Sequence, residues 1–208
     1  MRRFLLLAHR VPVRGEFTLN DLAGGGGRMD EIARTVSTAF TLSNDLRRDT
    51  EMTILFAGAT AEEARRIDLV GARLRYLNPD ERSTAALLKN ALARAAVYPL
   101  DFESSPGLRV GPCRRLEVLS EFLGRPGAVW LSEGGRPIAS WDGPAEEIAA
   151  VVSDPYDPTP EEVERLTASG VPRLSVSPLV LRTSQVIDAV HRELDLRGTP
   201  PAAAAGRA

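Results

Sequence analysis

The chain has 208 residues and a formal net charge of −2, with 43% hydrophobic and 26% charged residues. That balance suits a folded globular protein of one domain, or one domain with an appendage, and excludes a chain disordered throughout. One cysteine excludes an intramolecular disulfide or a Cys-Cys zinc knuckle, and two histidines are too few for a His-rich cage, so no metal is expected.

The apolar run Arg3–Ala8 reads as a buried strand. A turn-rich stretch follows to Gly27. Met29, Ile32, Ala33, Val36, Ala39 and Phe40 then keep helical spacing, and this helix is expected to end near Asn44. Met52–Ala57 predicts a second strand closed by Gly58, and the segment 67–77 alternates loosely enough to hold a third. Asn78-Pro79-Asp80-Glu81 predicts a helix start, with a capping side chain, Pro at the first position and acids in the first turn. Its stripe is Leu88, Ala91, Leu92 and Ala95. After a loop containing Ser105-Pro106-Gly107 a weaker helix is expected over about 114–123.

The last third changes rhythm. Ala128–Ser132 and Ile148–Val152 read as strands. Thr159-Pro160-Glu161-Glu162 is a capping box opening a helix that stops at Gly170. Arg173–Val176 reads as a short strand, and Ile187, Val190 and Leu194 mark a terminal helix from about Thr183. Strands alternating with helices predict an α/β fold with a mostly parallel sheet. The expected division is one domain over 1–197 and a disordered tail over 198–208.

No apolar run approaches the roughly 20 residues that cross a bilayer, so no membrane partner is expected. The start is too short in its apolar stretch for a secretory signal, which predicts a cytoplasmic protein. Lys89 is the single lysine among the 26 basic residues. The arginine bias fits either a GC-rich coding sequence or phosphate recognition, and composition does not choose between them.

Gly24–Gly27 precede a helix but are followed by Arg28-Met29, which satisfies neither a P-loop nor a dinucleotide fingerprint. No GxSxG elbow and no HExxH occurs. Five segments stand out instead: Gly27-Arg28-Met29-Asp30, the run 42–49 (LSNDLRRD), Asn78-Pro79-Asp80-Glu81-Arg82, Ser105-Pro106-Gly107, and the run 174–179 (LSVSPL). In this order and spacing they resemble the TrmY family of SPOUT-class methyltransferases, which methylate N1 of pseudouridine 54 in archaeal tRNA. The resemblance covers residues 1–197.

The resemblance implies a SPOUT-like α/β fold with a C-terminal trefoil knot, a homodimer, and S-adenosylmethionine as cofactor. It implies a cofactor pocket formed by Leu131, Ser153, Asp154, Leu174, Val176, Ser177, Leu179 and Val186. The RNA, with tRNA expected, would be gripped by Arg28, Arg47, Arg48 and Arg82, because guanidinium forks bind phosphates and stack on bases. Arg47 and Arg48 also have a local reading, at the carboxyl end of the first helix and beside Asp49, whereas capping explains Arg82 less. Methyl transfer from a sulfonium needs no acid for its leaving group, but the N1 proton needs an acceptor. Asp30, Asp49 and Asp80 are the candidates. Ser153-Asp154-Pro155-Tyr156-Asp157 stands where the family pattern has Gly-Asp-His-x-Gly, and Val186 stands in place of a cysteine. Ser153 adds a Cβ and Pro155 removes an amide donor. Two alternatives follow: an RNA-binding relative that has lost its cofactor, or a methyltransferase acting on another RNA.

Overall fold

The computed structural model describes residues 1–60, 63–98, 100–144 and 146–198. The expected tail falls almost wholly on 199–208, outside the described residues. Gly198 belongs to the last helix.

The first strand, β1 (Arg2–Ala8), has Phe4, Leu5, Leu6 and Leu7 all fully buried, as a strand covered on both faces must be. It lies inside an eight-stranded sheet. The other strands are β2 (Thr50–Phe56), β3 (Arg65–Val70), β4 (Phe102–Ser105), β5 (Leu108–Pro112), β6 (Ala128–Pro137), β7 (Ile148–Ser153) and β8 (Arg173–Ser175), in the order β4-β5-β3-β2-β1-β7-β6-β8. β1 pairs parallel with β2 and β7, and β6 pairs parallel with β7 and β8. The β3, β4 and β5 edge is antiparallel.

Alternation along β1 sorts the core into two layers. Phe4 and Leu6 face a cluster built with the helices α1 (Met29–Phe40), α2 (Glu81–Ala95) and α5 (Thr183–Gly198). Leu5 and Leu7 face the smaller cluster under α3 (Arg115–Leu123) and α4 (Pro160–Ala168).

Several elements differ from the sequence expectation; β6, for one, runs on from the expected end at Ser132 to Pro137. α1 stops at Phe40, because Thr41 turns extended, bonds back to the Ser37 carbonyl and bridges Leu46. α2 starts one residue after its cap Asp80, which accepts the Ser83 amide, so Pro79 lies outside the helix. β3 ends at Val70, where its pairing with Glu51 of β2 runs out. The expected loop around Ser105-Pro106-Gly107 is the turn of a β4–β5 hairpin, with Gly107 at φ +79°. A four-residue FESS strand and an LRVGP strand give little apolar alternation to read.

Candidate functional site

The carboxyl ends of parallel strands are where open α/β sheets place ligands. Here β6, β7 and β8 end together around a cleft of about 630 Å³. Leu131, Ser153, Asp154, Leu174, Val176, Ser177, Leu179 and Val186 all line it. The sequence therefore brings its eight predicted cofactor residues to one place.

The loop from β8 to α5 is folded on its own serines. Ser175 Oγ donates to the Ser177 carbonyl at 2.6 Å, and Ser177 Oγ accepts the Leu179 amide at 3.0 Å. Such turns fix backbone direction at the cleft wall. Leu174 is fully buried at its floor, while Leu179 is 70% exposed at its mouth. An apolar floor and rim with backbone polar groups between them suits a flat heteroaromatic ring.

The opposite wall is the segment after β7. Ser153 Oγ donates to the Tyr156 carbonyl at 2.7 Å, and the Thr183 hydroxyl donates to the Ser153 carbonyl at 2.6 Å. Among the described residues, Arg28 is the non-glycine with positive φ, so Ser153 keeps an ordinary backbone and its Cβ adds no backbone strain. The Asp154 carboxylate points into the protein: Oδ2 accepts the His9 amide at 2.8 Å and Oδ1 the Tyr156 amide at 3.1 Å. Asp154 shapes the wall.

Arg28 enters the cleft from the start of α1. Its φ of +71° follows Gly27 at +61°, where a Cβ would lie 2.0 Å from the Arg10 carbonyl. A non-glycine in the left-handed region is held there by its surroundings. The guanidinium forks onto Asp30, at 3.0 and 3.1 Å, and reaches Glu31 Oε1 at 3.1 Å. Burial works to raise the Asp30 pKa. The Arg28 fork outweighs it and leaves the carboxyl below its usual range.

The other predicted residues lie elsewhere. Arg47 is bound to Asp195 at 2.8 Å, and Arg48 spans the carbonyls of Gly71 and Leu74. Arg82 donates to the Leu19 carbonyl and Asn20. Asp49 pairs with Arg2 at 3.3 Å, and Asp80 caps α2, its carboxyl lowered by that Ser83 contact. Of the four arginines Arg28 lines the cleft; of the three aspartates Asp30 is joined to it through Arg28.

Among the cleft residues that sequence reasoning did not single out, three carry charge or an aromatic ring toward Arg28 and the wall. Glu31 lines it with its side chain 5% exposed, and its Oε2 has no hydrogen-bond partner among the described residues. Arg182 lies 3.8 Å from Glu31 Oε1. Tyr156 carries the Arg10 guanidinium 3.9 Å from its ring centre. Glu31 stood next to a predicted residue, but helical spacing gave no reason to aim it at the cleft. Cys113 is no nucleophile: burial pushes its thiol to about 11. Among the described residues no group of three His, Cys, Asp or Glu side chains is arranged to hold a metal, and no helix is long and apolar enough to cross a membrane.

Residues 1–199 match a protein family described as "Putative SAM-dependent RNA methyltransferase". A tRNA (pseudouridine(54)-N(1))-methyltransferase of Haloferax volcanii is 36% identical over 200 residues, covering 95% of this chain and 98% of that one. A protein of the same name from Methanocella arvoryzae is 38% identical over 197 residues, covering 95% and 100%. The crystal structure of Archaeoglobus fulgidus Nep1 bound to S-adenosylhomocysteine superposes with a TM-score of 0.62, over 94% of this chain and 97% of that one. At 11% identity that likeness shows the SPOUT fold alone.

Proposed function

The chain belongs to this family of SAM-dependent RNA methyltransferases, and we propose that it methylates N1 of pseudouridine in RNA, with tRNA as substrate. The observation that carries the reading is the convergence of the three strand ends and the Ser175–Arg182 loop on one cleft lined by all eight predicted cofactor residues.

S-adenosylmethionine, when bound, supplies an electrophilic methyl group on a sulfonium. The residues present fit it: Leu131 and Leu179 would offer apolar surface to the adenine with Leu174 packed beneath, and the serine turns hold the backbone between them. An in-line displacement asks the protein chiefly for positioning, which can contribute on the order of 7–11 kcal/mol. No nucleophile-base triad is needed. Arg28 at the mouth places a cation beside an incoming RNA strand, and Tyr156 offers an aromatic surface for an unstacked base. Asp30 and Glu31 are the carboxylates beside Arg28, and either can accept the N1 proton of the base, leaving the nitrogen lone pair to take the methyl. Arg47, Arg48 and Arg82 would contact RNA outside the cleft.

The implied homodimer and trefoil knot are part of the same proposal, as is a place in the cytoplasm. Exposed Leu179 and Val180 beside the cleft support a second chain covering this rim. The retained strand ends and the unstrained Ser153 favour an enzyme over a relative that has lost its cofactor. Calorimetric titration with S-adenosylhomocysteine tests this. Micromolar affinity, around −8 kcal/mol, is expected. No heat and no thermal shift at about millimolar ligand would select the RNA-binding alternative.

A further inference from the structure

One buried charge cluster lies behind the cleft wall and shares Asp154 with it. It lies where the end of β1, the wall segment after β7, α3 and α4 meet. His9 follows the last residue of β1. Its Nδ1 lies 2.7 Å from Asp154 Oδ1 and its Nε2 lies 2.9 Å from Glu162 Oε2. The side chains of His9, Asp154 and Glu162 are 9%, 0% and 2% exposed.

A neutral imidazole has one N–H and one lone pair. Here each ring nitrogen faces a carboxylate, so each must donate, and the ring is an imidazolium. Arg115 completes the cluster, with Nη2 2.7 Å from Glu162 Oε1 and Nη1 donating to the Ala8 carbonyl. Two cations and two carboxylates then balance in a buried space, which is one condition for keeping charges there; the Arg115 Nη2–Glu162 Oε1 contact is close but not aligned as a hydrogen bond.

The same two carboxylates anchor the cleft wall. Asp154 Oδ1 accepts the Tyr156 amide, and Glu162 Oε2 accepts the Thr159 amide as part of the capping box of α4. Both ends of the segment 154–159 therefore depend on carboxylates that one imidazolium joins. This segment includes Pro155, where the wall has lost an amide.

We propose that His9, shared between Asp154 and Glu162, is a positioning residue that holds the 153–158 wall in its binding shape, so that affinity for the adenosyl group follows the protonation of this ring. The inference rests on the reading of the cleft as an adenosyl site. When the ring loses its proton, one carboxylate meets a lone pair inside the protein. The wall then relaxes away from the geometry that the ligand requires.

The charged groups facing His9 are Asp154 from the end of β7, Glu162 from α4 and Arg115 from α3. Burial and Arg115 oppose protonation; the two carboxylates outweigh them and raise the ring above 6.5. Binding therefore weakens on the alkaline side.

The probe is 5′-methylthioadenosine, which carries the adenosyl group but neither the α-amino nor the carboxyl group, so it does not itself titrate near neutrality. Its dissociation constant is measured on the full chain from about pH 6 to about pH 9.5, while NMR of the labelled histidines follows the ring. His191, pushed down to about 4, does not overlap. The dissociation constant should rise about tenfold across the His9 midpoint. By linkage, saturating probe should then move that midpoint up by about one pH unit. The Ser153 and Tyr156 amide signals should follow the same midpoint without ligand. His9→Gln should bind weakly with a flat profile. A constant affinity across the His9 midpoint, or a midpoint unmoved by the probe, overturns the inference, and the wild-type titration stands even if the variant misfolds. No binding at any pH, with the wall amides still following His9, removes the adenosyl reading and this inference with it. Binding that ignores pH removes this inference alone.

Discussion

The two ends of β1 each hold a histidine, and their surroundings drive the two rings to opposite charge states. At the Arg2 end, His191 Nε2 donates to the Ala39 carbonyl at 3.1 Å while Nδ1 accepts from Arg2 at 3.0 Å. Its ring meets the edge of Phe4. Burial, then Arg47 and Arg2, push it down to about 4, and it is neutral. At the Ala8 end, His9 sits between carboxylates and is charged. One end closes a fixed joint between β1, α1 and α5; the other borders a cleft. The residue type says nothing of this difference. The partners each strand end meets across the fold decide it.

The comparison can be broken from either end. The largest effect is expected for Asp154→Ala, which leaves His9 and Arg115 as buried cations with one carboxylate. Breaking such a pairing costs about 3–5 kcal/mol. Urea denaturation measures it, and a loss under about 1 kcal/mol would show that the cluster does not hold the wall.

Stability against pH should bend in opposite senses. His191 is protonated in the unfolded chain below about 6.5 but stays neutral when folded down to about 4. The unfolded state binds the extra proton, so stability is lost as pH falls through this window, by up to about 3 kcal/mol. His9 is raised, so its contribution is complete below about 6.5 and is lost as pH rises through its folded value. The acid loss should shrink in His191→Gln and persist in His9→Gln. The reverse pattern would mean that the two rings have been assigned the wrong charge states.

His191→Leu leaves the Ala39 carbonyl without its donor and takes one of several acceptors from Arg2, a cost of about 1–3 kcal/mol. Affinity for S-adenosylhomocysteine should not change, because His191 is outside the cleft. A parallel loss of affinity would join the two ends that the comparison separates.

The smallest effect concerns RNA. Arg47→Ala with Arg48→Ala should weaken RNA binding and flatten its salt dependence by roughly one unit of log–log slope per lost phosphate contact. Both side chains already have protein partners, Asp195 for Arg47 and two carbonyls for Arg48. An unchanged slope would make them structural.

What the sequence revealed follows from how local each signal was. β1 and α1 were legible because the Arg3–Ala8 run and the Met29–Phe40 stripe carry their own periodicity. The β4–β5 hairpin was not, because FESS and LRVGP are stabilised by pairing with each other and with β3. The eight positions expected to bind cofactor came from family resemblance rather than spacing, and the fold brings them together around one cleft from strand ends, a loop and α5. Glu31 and His9 escaped notice for one reason: their significance lies in contacts across the fold, with Arg182 from the loop before α5 and with Asp154 and Glu162 from β7 and α4.

The most direct test incubates the purified chain with S-adenosylmethionine and two tRNA transcripts. One carries pseudouridine at position 54, the position in the names of its relatives; the other carries uridine there. Nucleoside mass spectrometry should find N1-methylpseudouridine in the first and no methylated product in the second. Cofactor binding without methyl transfer to the pseudouridine transcript would contradict the account.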